Sequence, residues 1–208
     1  MNQTEQIAIL AYGSLLAHPG DWFGKKMDKL VRYQTPFGVE YLGQANDGRG
    51  GAPTLVRSDD HRPIMGGLIV LNPEVRSAGL QEVKARLAER ERVKPDSKSI
   101  KSDLKIDGYI VVYSDFPRKL EPDVDQLARA ARDSVAKCYR DGHAFMNGIR
   151  YLRENLEWGV ETGLSQSYQE ALLRLTAASS LEDAEHRLLA AAKQSQDAVG
   201  SGGKLFSD

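Results

Sequence analysis

The chain lacks most of the features that mark metal-binding, disulfide-bonded or polyanion-binding proteins. Cys138 is its one cysteine, so no disulfide can form within the chain and no thiolate cluster can hold a metal ion. The four histidines, at positions 18, 61, 143 and 186, include no pair at ligand spacing. The 28 basic and 29 acidic residues leave a formal net charge of -1, which attracts neither nucleic acid nor an anionic lipid surface. We therefore expect no metal and no nucleic-acid partner.

The sequence also lacks a long apolar run. No segment approaches the ~20 apolar residues that a helix needs to cross a bilayer, and the first six residues, MNQTEQ, carry no basic region ahead of an apolar stretch. We expect a soluble, cytoplasmic protein without a membrane partner. The length of 208 residues suits one domain, which we assign to residues 1–193, followed by a flexible Gly- and Ser-containing tail over 194–208.

Strand patterns dominate the first half of the chain, and helix patterns dominate the second half. Short apolar or alternating runs predict strands at 6–12, 37–41, 52–56, 64–71 and 104–113. Apolar spacing of three and four predicts helices near 79–92, 123–141, 144–158, 167–177 and 181–193. Ser180, with Asp183 three residues later, is a typical N-terminal cap for the last helix. Strands first and helices later indicate the α+β class.

The end of the first predicted strand carries the first candidate site. The segment ILAYGSLL runs from a buried strand directly into Tyr12, Gly13, Ser14 and Leu15. Glycine permits a positive φ and the close approach of a ligand to the backbone. Successive amide N–H groups at such a strand end can converge on a carboxylate or on a developing oxyanion. The same residues are also compatible with an ordinary turn.

A carboxylate on the apolar face of a helix is the second candidate. Leu80, Val83 and Leu87 step by three and four, and the next step of four falls on Glu91, whereas Glu89 points away from this stripe. A carboxylate held at the core side of a helix C-terminus is suited to act as a general base. In the alternative interpretation the helix frays before Glu91, and neighbouring basic residues neutralise a solvated side chain.

Together these two segments resemble the gamma-glutamylcyclotransferase superfamily, whose signature is a Tyr-Gly-Ser-Leu turn after the first strand and one catalytic glutamate further on. The sequence Glu89-Arg90-Glu91 matches the Arg-Glu pair of the ChaC-type branch, which degrades glutathione. Segments 49–56 and 66–71 resemble strands that flank the family's pocket, and 151–173 resembles its helical segment. The chain departs after the glutamate, where the branch continues with Gly-Gly-Tyr and this sequence has Arg-Val-Lys-Pro. That departure weakens an assignment of glutathione as the substrate but does not affect the assignment of the reaction.

The resemblance implies a fold, a reaction and a set of site residues. The implied fold is a small mixed β-barrel with flanking helices and a helical C-terminal half, and residues 119–142 form a helical insertion in it. The implied reaction is the cleavage of a gamma-glutamyl amide by its own α-amine, a lyase or transferase step of glutathione metabolism that releases 5-oxoproline and uses no cofactor. Glu91 is the implied catalytic residue. The implied substrate-binding residues are Tyr12, Gly13, Ser14, Leu15, Tyr109 and Tyr151. For Tyr109 and Tyr151 the alternative is an aromatic ring that packs in a core with its hydroxyl satisfied.

Two other functions are compatible with the same residues. One is a binding module that recognises a gamma-glutamyl group or a carboxylate without turning it over. The other is a biosynthetic enzyme that removes a gamma-glutamyl group from a larger amine by the same chemistry. The sequence indicates residues only for the glutamyl end of the substrate. It indicates neither the leaving amine nor the oligomeric state.

Overall fold

The computed structural model describes residues 6–45, 49–77 and 79–201. Within these ranges it has six strands, and their bounds are β1 (Gln6–Ala11), β2 (Met27–Gln44), β3 (Pro53–Arg57), β4 (Pro63–Leu71), β5 (Ile100–Ile106) and β6 (Tyr109–Ser114). The helices are α1 (Ser14–Ala17), α2 (Asp21–Lys26), α3 (Gly79–Arg90), α4 (Val124–Arg140), α5 (Gly148–Glu157), α6 (Ser165–Thr176) and α7 (Leu181–Ser201). The predicted α+β class is confirmed. None of the helices in these ranges is both long and apolar enough to cross a membrane.

The strands form one open sheet in the order β3-β2-β4-β1-β6-β5. β1 is parallel to β6 and antiparallel to β4, and β5 is antiparallel to β6. Closing a barrel would require the two edge strands to pair with each other. In the described ranges β3 and β5 remain edges, so the predicted closed barrel is wrong there. β5 carries Lys101, Asp103 and Lys105, and such charged side chains are typical of a strand that stays at an edge.

The segment predicted as one strand over 104–113 is a hairpin. Ile106 pairs with Tyr109, and the two residues between them form the turn. Asp107 has φ 50° and Gly108 has φ 83°. Positive φ at both positions is the geometry of a type I′ turn, for which Asp-Gly is a favoured pair. β5 and β6 are therefore separate antiparallel strands.

The chain folds into two compact units, each built from separate segments. The first unit comprises Met1–Val39, Val56–Pro117 and Trp158–Val160, and the second comprises Glu40–Leu55, Arg118–Glu157 and Glu161–Asp208. In the first unit α3 packs on β5 and β6, and in the second α4 packs on α5, α6 and α7. The assignment of residues 1–193 to a single domain stays a prediction.

The helical second half agrees with its sequence pattern. Asp123 caps α4, because its carboxylate accepts hydrogen bonds from the backbone N–H groups of Asp125 and Gln126. α4 covers most of the helical insertion predicted at 119–142. At the start of α7 the N–H of Asp183 donates to the Ser180 hydroxyl at 3.1 Å, which confirms the predicted cap. α7 continues to Ser201, so 194–201 of the predicted tail is helical, and 202–208 lies outside the described residues.

Candidate functional site

The turn after β1 has a backbone geometry that glycine permits. Gly13 has φ 66° and ψ -143°, a region that residues with a Cβ atom rarely adopt. Ser14 then begins the short helix α1, and Leu15 is buried together with Leu16. The neighbouring strand approaches closely, because a Cβ atom at Gly66 would lie 2.6 Å from the carbonyl oxygen of Ala11. The buried leucines and this close strand contact hold the turn in place.

The Tyr12 side chain ties the ends of two parallel strands together. Its hydroxyl donates a 2.6 Å hydrogen bond to the carbonyl of Ser114, the last residue of β6. Its ring meets Phe37 edge to face with centroids 6.1 Å apart, and Phe37 in turn lies 5.3 Å from the ring of Tyr113. The hydroxyl of Tyr12 is thus engaged by the protein, and the turn is anchored to β6.

Glu91 follows directly on the last residue of α3. Its backbone N–H still donates to the carbonyl of Leu87 at 2.9 Å, so the helical hydrogen bonding extends through it. Its side chain is 17% exposed, compared with 70% for Glu89. The predicted helical phase, with Glu91 turned toward the core and Glu89 away from it, is confirmed. The structure therefore does not support fraying before Glu91.

Arg90 connects Glu91 to the turn after β1. One guanidinium nitrogen, Nη1, donates to Oε1 of Glu91 at 2.6 Å. The other, Nη2, donates to the hydroxyl of Ser14 at 3.0 Å and to the carbonyl of His18 at 2.9 Å. Both candidate segments therefore meet at one arginine, whose role the sequence patterns did not reveal. Arg90 is also a basic neighbour that pairs with Glu91, as the alternative interpretation expects.

The structure does not bring Tyr109 to this place. Tyr109 begins β6 and pairs with Gln6 at the start of parallel β1, whereas Tyr12 follows the end of β1. Strands rise about 3.3 Å per residue, so roughly 17 Å of strand separates Tyr109 from Ser114. Tyr113 is the tyrosine of β6 that lies near Tyr12, through Phe37. The Asp107-Gly108 turn directly precedes Tyr109, so Tyr109 lies at the end of β6 that is far from Tyr12.

Tyr113 is a buried tyrosine with a polar partner. Its hydroxyl donates a 3.0 Å hydrogen bond to Oδ1 of Asp103. Burial, and then this bond to a carboxylate, raise the pKa of Tyr113 to about 12, and the positive charge of Arg57 opposes the shift. Arg57 lies over the ring of Phe37 at 5.0 Å and pairs with Asp59 at 2.8 Å. Tyr113 therefore keeps its proton at neutral pH.

The second unit holds a fully buried carboxylate. Glu40 has no exposed surface, and its oxygens accept hydrogen bonds from the Thr162 hydroxyl at 2.5 Å and from the N–H groups of Tyr41 and Leu164 at 2.9 and 3.1 Å. Leu164 is the residue before α6, so the carboxylate lies at the N-terminal end of that helix, where the helix dipole stabilises negative charge. Glu40 thus stabilises the start of α6.

Tyr151, a predicted substrate contact, lies in a cluster of tyrosines in the second unit. Its hydroxyl accepts a 3.2 Å hydrogen bond from the N–H of Leu55, and its ring meets Tyr41 edge to face at 6.3 Å. Tyr41 also meets Tyr168 at 5.3 Å. Burial raises the pKa of both Tyr41 and Tyr168. The rings of Tyr41 and Tyr168 are fully buried.

Three polar atoms in this cluster have no hydrogen-bond partner among the described residues. They are the hydroxyls of Tyr41 and Tyr168 and the amide nitrogen of Asn155, all in side chains that are at most 2% exposed. Asn155 lies close enough to lower the pKa of Tyr41, although no hydrogen bond of good geometry joins them. Buried polar atoms without partners lower stability, so removal of one of these hydroxyls should raise the free energy of unfolding.

In the ranges 6–45, 49–77 and 79–201, no three His, Cys, Asp or Glu side chains are grouped so that they could hold a metal ion. A surface groove of about 540 Å³ runs along the exposed side of α3, and it is lined by Glu82, Ala85, Arg86, Glu89, Val93 and Pro95. Neither Glu91 nor Arg90 lines this groove, so it is separate from the candidate site.

The candidate site therefore consists of Glu91, Arg90 and the turn of residues 12–15, all within the first unit. A carboxylate, a guanidinium and a glycine-shaped turn can bind an anionic group and move a proton without a bound ion. Comparison of the chain with protein-family models, with curated proteins and with solved structures gives no match.

Proposed function

We propose that the protein is a gamma-glutamyl cyclotransferase, which closes a gamma-glutamyl group on itself to give 5-oxoproline and a free amine. One observation carries this proposal: Arg90 joins Glu91 to Ser14, so that a carboxylate and a Tyr-Gly-Ser-Leu turn far apart in the sequence meet at one place. The family resemblance implies this pairing of a glutamate with that turn. The burial of Glu91 relative to Glu89 supports the same assignment.

The reaction needs little more than positioning and proton transfer. The nitrogen of the substrate's α-amine attacks the γ-carbonyl carbon of the same molecule, a new C–N bond closes the five-membered lactam, and the original amide C–N bond breaks. Holding both groups in one molecule provides effective molarities of ~10⁵–10⁸ M. The α-ammonium loses two protons as it becomes the lactam N–H, and the leaving nitrogen gains two as it departs as an ammonium. Glu91 carries protons from the first nitrogen to the second, a role worth about 10²–10⁴ in rate.

The turn of residues 12–15 supplies the binding of charge in this scheme. Its backbone N–H groups hold the α-carboxylate or the γ-carbonyl oxygen as negative charge develops there. The positive φ of Gly13 shapes the backbone for this contact. The Ser14 hydroxyl accepts a hydrogen bond from Arg90, so Ser14 contributes through its backbone first. No step of the scheme involves Tyr109 or Tyr151, and the substrate contacts predicted for these two residues stay predictions.

The fold and setting form part of the same proposal. We propose a variant of the gamma-glutamylcyclotransferase-like fold in which the sheet stays open. The enzyme acts in the cytoplasm on a small gamma-glutamyl substrate and needs no cofactor. The leaving amine is the part of the substrate for which no residue is assigned.

The ion pair of Glu91 favours one second candidate. Because Arg90 engages Oε1 at 2.6 Å, Glu91 could serve as a fixed contact in a module that binds gamma-glutamyl groups without turning them over. Such a module would show saturable binding of a gamma-glutamyl amide without release of amine.

The proposal is tested by incubating the purified protein with glutathione, gamma-glutamyl amino acids and gamma-glutamylamines and measuring 5-oxoproline by mass spectrometry. We expect stoichiometric 5-oxoproline and amine from at least one of them. Saturable binding without product would support the binding module instead. If no member of the panel binds or is turned over, both the cyclotransferase and the binding module are contradicted.

A further inference from the structure

We propose that Arg90 is a positioning residue, which holds the carboxylate of Glu91 and the turn of residues 12–15 in one fixed geometry. The inference rests on the proposed function and adds to it a residue that neither the strand-end pattern nor the helical phase identified. It concerns the first unit alone.

The guanidinium of Arg90 reaches acceptors on two separate segments of the chain. Nη1 donates to Glu91, and Nη2 donates to both Ser14 and the carbonyl of His18. The Arg90 side chain is only 12% exposed, so little water competes for these bonds. A rigid, planar fork can serve acceptors on two sides at once, whereas a lysine ammonium is a single point charge. The arrangement therefore requires arginine at this position.

Packing of the aliphatic stem limits the freedom of the fork further. A Cβ atom at Gly20 would lie 3.4 Å from Cγ of Arg90, so the backbone before α2 runs beside the stem. Gly20 has φ 88°, which lets the chain pass there without a side chain. With its stem beside Gly20 and its head hydrogen-bonded on both sides, Arg90 is held in one conformation.

The two carboxylate oxygens of Glu91 differ in their hydrogen bonding. Oε1 accepts the hydrogen bond from Arg90, while Oε2 accepts none from the part of the chain that the structure describes. Oε2 is therefore the atom we assign to proton transfer, and Arg90 fixes its position relative to the turn. A misplacement of about 1 Å in such a constellation can lower the rate about 10²-fold.

The test compares three variants, Arg90→Met, Arg90→Lys and Arg86→Met. Methionine keeps most of the stem and removes the fork, and lysine keeps the charge. Arg86 is the matched control, because it lies one turn earlier on α3, is 41% exposed and pairs with Glu89 at 3.0 Å on the outer side. Circular dichroism and thermal unfolding establish that each variant is folded at the assay temperature, and kcat and KM are then measured with the gamma-glutamyl amide that wild type turns over.

We expect kcat of Arg90→Met to fall about 10- to 100-fold, with KM changed less than about threefold, because the loss is in the placement of the base. Arg90→Lys should recover part of this loss, and Arg86→Met should match wild type. A residue with a purely structural role would lower thermal stability and leave kcat of the folded fraction unchanged.

The outcomes separate this inference from the proposed function. Wild-type kcat in folded Arg90→Met, with Glu91→Gln inactive, would overturn the positioning role alone. Full activity in Arg90→Lys would show that charge suffices and would overturn the two-sided fork. If wild type forms no lactam from any substrate, the proposed function fails, and this role fails with it.

Discussion

The backbone N–H of Val93 donates a 2.9 Å hydrogen bond to the carbonyl of Ala88, and this bond closes the end of α3 around Glu91. A second bond, from Arg92 to the carbonyl of Glu89 at 3.0 Å, completes the Schellman motif. The motif requires a left-handed residue, and Arg92 fills that position with φ 56°. Glu91 is thus held between the last helical turn and a residue in an unfavourable backbone conformation.

We predict that Arg92→Gly raises the free energy of unfolding by about 0.5–1 kcal/mol. Relief of the left-handed conformation gains about 1–2 kcal/mol, and the greater freedom of glycine in the unfolded chain offsets part of this gain. Arg92→Ala keeps the Cβ atom and should bring no such gain. Urea unfolding of the three proteins measures the difference, and a less stable Arg92→Gly would show that the Arg92 side chain makes a compensating contact.

Loss of the side-chain hydroxyl should change the free energy of unfolding in opposite directions at Tyr168 and Tyr151 of the second unit. The Tyr168 hydroxyl is buried without a hydrogen-bond partner among the described residues, so Tyr168→Phe should raise the free energy of unfolding by about 1 kcal/mol. The Tyr151 hydroxyl accepts a bond from the N–H of Leu55, so Tyr151→Phe should lower it by about 1 kcal/mol. Denaturant titrations test the pair. Destabilisation by Tyr168→Phe would contradict the assignment of an unpartnered hydroxyl.

Tyr113 should make stability fall at alkaline pH. Its pKa in the folded protein, about 12, lies above the ordinary value of 10.0, so the folded state keeps a proton that the unfolded state loses. The stability that this group contributes is complete below pH 10 and is lost as pH rises toward about 12. Tyr113→Phe should flatten, without abolishing, the decline of unfolding free energy over that window, because burial also raises the pKa of Tyr41 and Tyr168. An unchanged slope would contradict the prediction.

Much of the secondary structure could be predicted because apolar periodicity records burial on one face. The phase of α3 is the clearest case, since it placed Glu91 inward and Glu89 outward from spacing alone. Periodicity fails where a strand is exposed, or where it is buried on both faces. β2 shows both, because residues 27–34 are all exposed or half-buried whereas residues 37–43 are all buried, including Glu40.

The site was only partly predictable because its central contact is long-range. Arg90 lies in the same short segment as Glu91, yet its partners Ser14 and His18 are more than seventy positions away. Nothing in local spacing marks such a bond. The hairpin of β5 and β6 was missed for a different reason: treating 104–113 as one strand ignored the Asp107-Gly108 turn, which the residue types themselves indicate.

The central claim is tested most directly by lactam formation in Glu91→Gln, with Glu89→Gln as the control on the same helix. Glutamine has nearly the same shape as glutamate but cannot take up the substrate's proton, so the fold should persist while turnover falls at least 10²-fold. The Glu89 side chain is 70% exposed and points away from the site, so Glu89→Gln should turn over like wild type. Folded Glu91→Gln that forms 5-oxoproline at the wild-type rate would contradict the account.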